Sequence, residues 1–329
     1  MTTRVRLRHY ESLFLEADCS LLRELGWGEQ LVLHPGLRVL CKRRLFYRRY
    51  LILLQKGGEA ELQRFLAEGG AEFWLGDITI HDFDDVLRHP LVIAGIRFHL
   101  AAKHERLLNI ATFAIDLAQD EEAMLAAMSP DYRRKIRIAA SRGVSVEAHD
   151  KPSPDLQAGF IATFNAFARA RGMRPIAGEA LSRIYARGDA LLFVARKRGA
   201  ISNYLHIYTK GAKAIFMYGV NPSKENDGAG QYLQWRAILR LKEMGLEWYD
   251  LGGVATKDAT DGIYNFKSKF GAPLVSLGCE WRSDSLATNS MWVGLNKLRR
   301  GVMGRKTALL RLSNFQPAPP PPLLKGPQY

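Results

Sequence analysis

Cysteine is scarce in this chain of 329 residues, and Cys19, Cys41 and Cys279 stand far apart, with no C-x-x-C pair and no histidine at ligand spacing. That excludes a disulfide framework or a zinc site read from spacing, and leaves reduced thiols as the expectation. Cys279 lies in SLGCEW, a strand pattern that favours packing over nucleophilic duty. Long apolar runs are also missing, none reaching the roughly 18 residues that cross a bilayer. The opening MTTRVRLRHYESLF carries arginines but no apolar core or small-residue cleavage site, so a cytoplasmic protein is expected. Acidic residues are few, 33 against 47 Lys and Arg, a formal charge of +14. Such a field favours polyanions, whether nucleic acid, pyrophosphate-linked carriers or an anionic membrane face, and does not choose among them. With 47% hydrophobic and 24% charged residues over this length, two folded domains are expected.

The stretch Ala214 to Gly271 carries the most information. AIFMYGV reads as a buried strand, bounded by Gly211 and Asn221-Pro222. NPSKENDGAG then reads as a loop, and QYLQWRAILRLKEMG as a helix with Leu233, Ala237, Leu241 and Met244 at three- and four-residue spacing and a stop at Gly245. LEWYDLGG predicts a second strand, and DGIYNFKSKFG a cationic loop with Tyr264, Phe266, Lys267, Lys269 and Phe270. A Gly-rich turn feeding a helix N-terminus suits an anion, and Gly228 and Gly230 would admit a ligand close to backbone. A plain surface loop fits the same residues. Asp250, at a strand end, has two readings: it orients a substrate amine, or it accepts N–H bonds from Gly252 and Gly253.

Upstream, Arg38 to Arg49 mixes six basic residues with Leu, Phe and Tyr, either a solvated hairpin face or a phosphate-contacting patch. YLILLQKGG, EAELQRFLAEGG and AEFWLGDITI repeat a β-α-β order, and DDVLRHPLVIAGIRF predicts a helix and a strand. Ser129-Pro130 predicts the cap of a helix to Arg142 with Ile136 and Ala140 buried. Arg133 and Arg137 share a face there, two guanidinium groups offered to one anion or to solvent. HDKPSPDLQ is the expected domain junction. Phe160, Phe164 and Phe167 predict a core stripe, and His206 a satisfied strand residue ahead of a general base. SMWVGLNKLRRGVMGRKTALLRL pairs basic with apolar residues, either a membrane-resting amphipathic helix or one packed on its own domain, and FQPAPPPPLLKGPQY is an extended tail.

YDLGG, IYNFKSKFG and SPDYRRKIRIAASRGVSVE together resemble the FemAB (FemABX) aminoacyltransferases over roughly residues 110 to 285. The resemblance implies an α/β (α+β) fold of two GNAT-like domains, each a mixed twisted sheet flanked by helices. The expected division is 1–150, a catalytic 151–284, a basic helix over 285–312 and a tail over 313–329. It further implies transfer of an aminoacyl group from aminoacyl-tRNA to an amine on a peptidoglycan precursor. No cofactor is expected beyond the donor substrate. The Phe266-Lys267 pair carries over, so Lys267 is the catalytic candidate, with Phe266, Tyr264, Asp250, Arg133, Arg137, Gly228 and Gly230 as substrate-binding candidates. The long helical hairpin of some relatives has no counterpart here. Two other readings stand: a GNAT-type N-acyltransferase using acyl-CoA or an acyl carrier protein, and a non-catalytic nucleic-acid or membrane-binding module. Peripheral contact with the inner membrane goes with the basic helix.

Overall fold

A computed structural model describes residues 10–15, 19–28, 30–43, 48–69, 77–222 and 227–284. The expected basic helix and tail, most of the turn 223–226 with Glu225, and the centre of the basic patch lie outside these residues. A 3-10 turn at Leu13–Leu15 and α1 (Ser20–Glu24) lead into β1 (Gln30–His34), β2 (Leu37–Arg43), β3 (Arg48–Leu54), α2 (Glu59–Glu68), β4 (Asp77–Asp82), β5 (Leu91–Ile93) and β6 (Ile96–Leu100). Next come β7 (Ala111–Asp116), α3 (Glu121–Ala127), α4 (Pro130–Ser141), β8 (Ser145–His149), α5 (Pro154–Ala170) and α6 (Gly178–Ala186). The last group is β9 (Ala190–Lys197), β10 (Ala200–Lys210), β11 (Lys213–Val220), α7 (Ala229–Glu243), β12 (Trp248–Val254), α8 (Gly262–Ser268), β13 (Leu274–Ser276) and β14 (Cys279–Ser283).

These strands form two seven-stranded sheets, ordered β1-β2-β3-β4-β14-β6-β5 and β13-β7-β12-β11-β10-β9-β8. Each holds one parallel pair, β3 with β4 and β11 with β12, and every other pairing is antiparallel. A parallel pair needs a crossover, and α2 and α7 supply it, so the β-α-β order read from sequence recurs in both units.

The expected border at residue 150 is displaced. Strands β7 and β8 pair within the second sheet, and β14 returns to the first between β4 and β6. Pro and charge at His149–Gln157 reflect a helix start, not a linker: Ser153 Oγ accepts the Leu156 N–H and Pro154 occupies the first turn. No helix forms at Asp84–His89, because the Asp82 carboxylate accepts the N–H groups of Val86 and Leu87 and folds the segment as a turn.

Helices cover both faces of the second sheet. On one face Tyr132, Ile136 and Ala139 of α4 pack with Leu233, Ala237 and Leu241 of α7. The stripe on α4 thus turns through Ala139, and Ala140 is exposed. Met244, expected on the apolar face of α7, is 42% exposed past its end. On the opposite face Phe160 and Phe164 of α5 are core, while Phe167 is half-buried under the Arg171 guanidinium, 3.9 Å from its ring centre.

His206 belongs to this second face. Its Nδ1 lies 2.8 Å from the Tyr185 hydroxyl and its ring stacks on Tyr218. Burial pushes its pKa down to about 3. The unfolded chain takes up this proton below about pH 6.5 while the folded one refuses it, so stability held above that pH is lost as pH falls towards 3. His206→Gln is expected to flatten this acid decline, read as the urea midpoint at stepped pH.

Candidate functional site

The ladder between β11 and β12 is short: Lys213 faces Trp248, Ala214 faces Tyr249, Ile215 faces Asp250, and pairing stops there although both strands run on. On its other edge β12 bulges against β7 between Asp250 and Gly253. Gly252 makes the bulge with φ +76°, a conformation open to glycine. A Cβ at this position would lie 2.5 Å from the Phe216 carbonyl oxygen and 3.2 Å from Lys267 Nζ.

The segment read as a cationic loop is a short helix, α8. The Asp261 carboxylate accepts the N–H groups of Ile263 at 3.0 Å and Tyr264 at 3.1 Å and starts it. Its last turn aims Lys267 at the bulge, where Nζ donates to the Gly252 carbonyl at 2.8 Å and the Gly253 carbonyl at 2.9 Å. The Phe216 ring centre lies 5.7 Å from the same nitrogen, within cation–π range. Lys267 is 8% exposed. Burial lowers its pKa to about 8, and the charges of Asp250 and Asp261 oppose that fall. An ammonium has three N–H donors, so one is left over after the two carbonyl bonds.

Asp250 sits behind the bulge, 2% exposed. Its carboxylate accepts the Gly252 N–H at 2.7 Å and the hydroxyls of Thr112 and Tyr10. Burial raises its pKa and these three donors oppose the rise. Of the two sequence readings, the geometry contains the bond from Gly252. Tyr10 and Thr112 gave no signal in sequence, since 240 and 138 residues separate them from Asp250.

A cavity of about 430 Å³ shares Phe216 with this arrangement and is walled by that residue together with Phe167, Val220 and Phe266, with Asn203, Asn221, Gln231 and Gln234 among its polar groups and Gly230 at the head of α7. Among the described residues no charged side chain lines it. Phe266 thus faces the cavity, while Phe216, missed in sequence because AIFMYGV reads equally well as core, underlies the ammonium. Tyr264 packs edge-on to Phe113 at 5.2 Å, away from the cavity lining. Gly228 lines the cavity but is glycine for another reason: a Cβ there would lie 2.4 Å from the Lys135 carbonyl of α4. Arg133 and Arg137 are not brought to Lys267; they line a separate hollow of about 360 Å³ with Leu125, Pro130 and Ile136.

Residues 187–278 match the FemAB family model, a span that contains the bulge, α7, α8 and the cavity strands. The structure of FemX is similar, with a TM-score of 0.60 and 15% identity over 83% of this chain and 92% of that one. The fold is FemAB-type: two mixed sheets flanked by helices, as in FemX. The C-terminal domain of a lysylphosphatidylglycerol synthetase candidate from Agrobacterium fabrum shares this fold, with a TM-score of 0.57 and 14% identity over 88% of this chain and 93% of that one. L-PGS from Bacillus licheniformis does so at a TM-score of 0.50 and 12% identity, covering 83% of this chain and 93% of the other. No curated protein matches in sequence. Within the FemAB-type fold, Lys267 and its two carbonyls lie in the matched region. No helix among the described residues is long and apolar enough to cross a membrane.

Gly252→Ala would strain the backbone and crowd the ammonium. It is expected to cost about 1–3 kcal/mol of stability in urea unfolding.

Proposed function

We propose that this protein is an acyltransferase that moves an aminoacyl group from aminoacyl-tRNA to an amine on a peptidoglycan precursor or related envelope substrate. The observation that carries the reading is the Lys267 ammonium, buried, held by two backbone carbonyls and 5.7 Å from the ring centre of Phe216, which with Phe266 walls the aromatic cavity although Lys267 itself does not line it. The acceptor amine attacks the ester carbonyl, a C–N bond forms, and the carbonyl oxygen becomes an oxyanion. The spare N–H of Lys267 stabilises that charge in a site of low dielectric, where one donor is worth about 3–4 kcal/mol. Collapse breaks the C–O bond to the ribose, and the proton lost by the amine ends on the leaving hydroxyl. The donor ester is already activated, so no covalent enzyme intermediate is required. Phe167, Phe216 and Phe266 would seat the acyl group, and Asn203 its carbonyl or amide. Arg133 and Arg137, set apart, would hold a substrate phosphate.

One observation favours a second reading. The first turn of α7 turns Gly230 and Gln231 towards the cavity, and N–H groups of a helix start suit the pyrophosphate of acyl-CoA. Labelled aminoacyl-tRNA with an amine-bearing muropeptide decides between them. Transfer of label that ribonuclease abolishes supports the first. Acyl-CoA consumption without tRNA, indifferent to ribonuclease, would replace it with the second.

A further inference from the structure

The bulge that holds Lys267 is itself held from behind. The Asp250 carboxylate receives the Gly252 N–H at 2.7 Å, and that bond closes the left-handed turn which points the Gly252 and Gly253 carbonyls at Nζ. The carboxylate is fixed in turn by the Thr112 hydroxyl of β7 and by Tyr10, whose ring stands edge-on to Trp248 with centroids 5.5 Å apart. Tyr10 thus ties the segment ahead of the first sheet to the strand beneath the ammonium.

We infer that Asp250 and Tyr10 are positioning residues for Lys267: the carboxylate sets the bulge whose two carbonyls hold the ammonium, and the phenol orients that carboxylate. This rests on the reading of Lys267 as the oxyanion donor, but the linkage can be measured without any substrate. The sequence-level alternative, Asp250 as ligand of the acceptor amine, puts the carboxylate to a different use. Its oxygens already receive three donors.

Among the described residues two charged groups act on Lys267: Asp250 on β12, and Asp261, which caps α8 and pairs with Lys103 at 3.6 Å. Tyr10 acts only through Asp250. Asp250→Asn keeps an oxygen for the Gly252 N–H and removes the charge, so the ammonium should lose its proton at lower pH. Tyr10→Phe keeps the ring on Trp248 and removes a hydroxyl whose positive end faces the carboxylate, so the proton should be held to higher pH. A purely structural role would not move the two variants in opposite directions.

The test follows the Nζ resonance of Lys267 by NMR in the full chain carrying side-chain-labelled lysine, with Lys267→Arg giving the assignment. The expected result is a titration midpoint about one pH unit lower in Asp250→Asn and a smaller upward shift in Tyr10→Phe. In transfer assays Asp250→Asn should lower kcat several-fold, leave the amine KM unchanged and move the alkaline limb to lower pH. An unmoved midpoint in both variants, shifts of the same sign, or a tenfold rise in amine KM with the midpoint in place would overturn the inference. If Asp250→Asn does not fold, the upward shift in Tyr10→Phe decides alone. Full transfer activity in Lys267→Ala would instead overturn the catalytic reading and leave the NMR result standing.

Discussion

Lys267→Ala is expected to lower the rate of aminoacyl transfer by about a hundred- to a thousandfold, the loss of one preorganised oxyanion donor. Lys267→Arg should fare little better, because a planar guanidinium does not fit a position that is 8% exposed and shaped around two carbonyls. Both variants leave the Gly252 and Gly253 carbonyls without the ammonium, so thermal unfolding must accompany the assay to separate lost chemistry from lost fold. The pH profile supplies an independent signature. In the proposed reaction Lys267 acts as an ammonium, and its pKa is lowered to about 8 by burial. The rate should therefore fall as pH rises through about 8, while the attacking amine gains from deprotonation on the acid side, giving a bell. Single-turnover transfer of label at stepped pH reads this. A profile still rising well above pH 8 would exclude an ammonium as the oxyanion donor.

The second large effect concerns the join between the two units. His81 and Glu280 are both buried, at 0% and 1% exposure. One ring nitrogen of His81 meets Glu280 Oε1 at 3.0 Å, and the other meets the Leu277 carbonyl at 2.6 Å. The same carboxylate accepts the N–H groups of Leu107 at 2.8 Å and Leu108 at 2.6 Å. Leu107 and Leu108 lie where the chain leaves the first sheet for the second, and Leu277 to Glu280 where it returns. A single buried pair therefore fastens both crossings. Glu280→Ala would strand an imidazole and two backbone donors away from water, and a loss of about 3–5 kcal/mol is expected. Urea unfolding of the full chain measures it, and proteolysis at residues 101–110 should quicken as the crossing opens. A change below 1 kcal/mol would show that these groups find other partners.

The parts of the fold that could be read in advance share one property: they rest on contacts close in sequence. Ser129-Pro130 starts α4 because the hydroxyl accepts an N–H three residues on. The spacing of Leu233, Ala237 and Leu241 makes an apolar face whatever it packs against. Two departures turn on an aspartate whose side chain captures nearby N–H groups, a choice that composition does not announce, and a third feature turns on a distant contact. Asp84–His89 has helical composition, yet the Asp82 side chain captures its N–H groups. IYNFKSK reads as a cationic loop until Asp261 is seen capping it. Gly228 reads as room for a ligand; it lines the cavity, and its lack of a Cβ also makes room for the Lys135 carbonyl across a helix packing.

The sequence alone determined the tandem β-α-β order, most element starts, the resemblance carried by YDLGG and IYNFKSKFG, and Lys267 with Phe266 as candidates, because local hydrogen bonds and residue periodicity do not depend on distant chain. Only the tertiary structure decided that β14 crosses back to the first sheet, that Arg133 and Arg137 stand apart from the cavity, and that Phe216, Thr112 and Tyr10 join Asp250 and Lys267 at the bulge. Those juxtapositions come from strand pairing and burial between segments up to 240 residues apart. Closing so long a loop costs entropy that no local pattern records, and it is repaid only when the whole core forms.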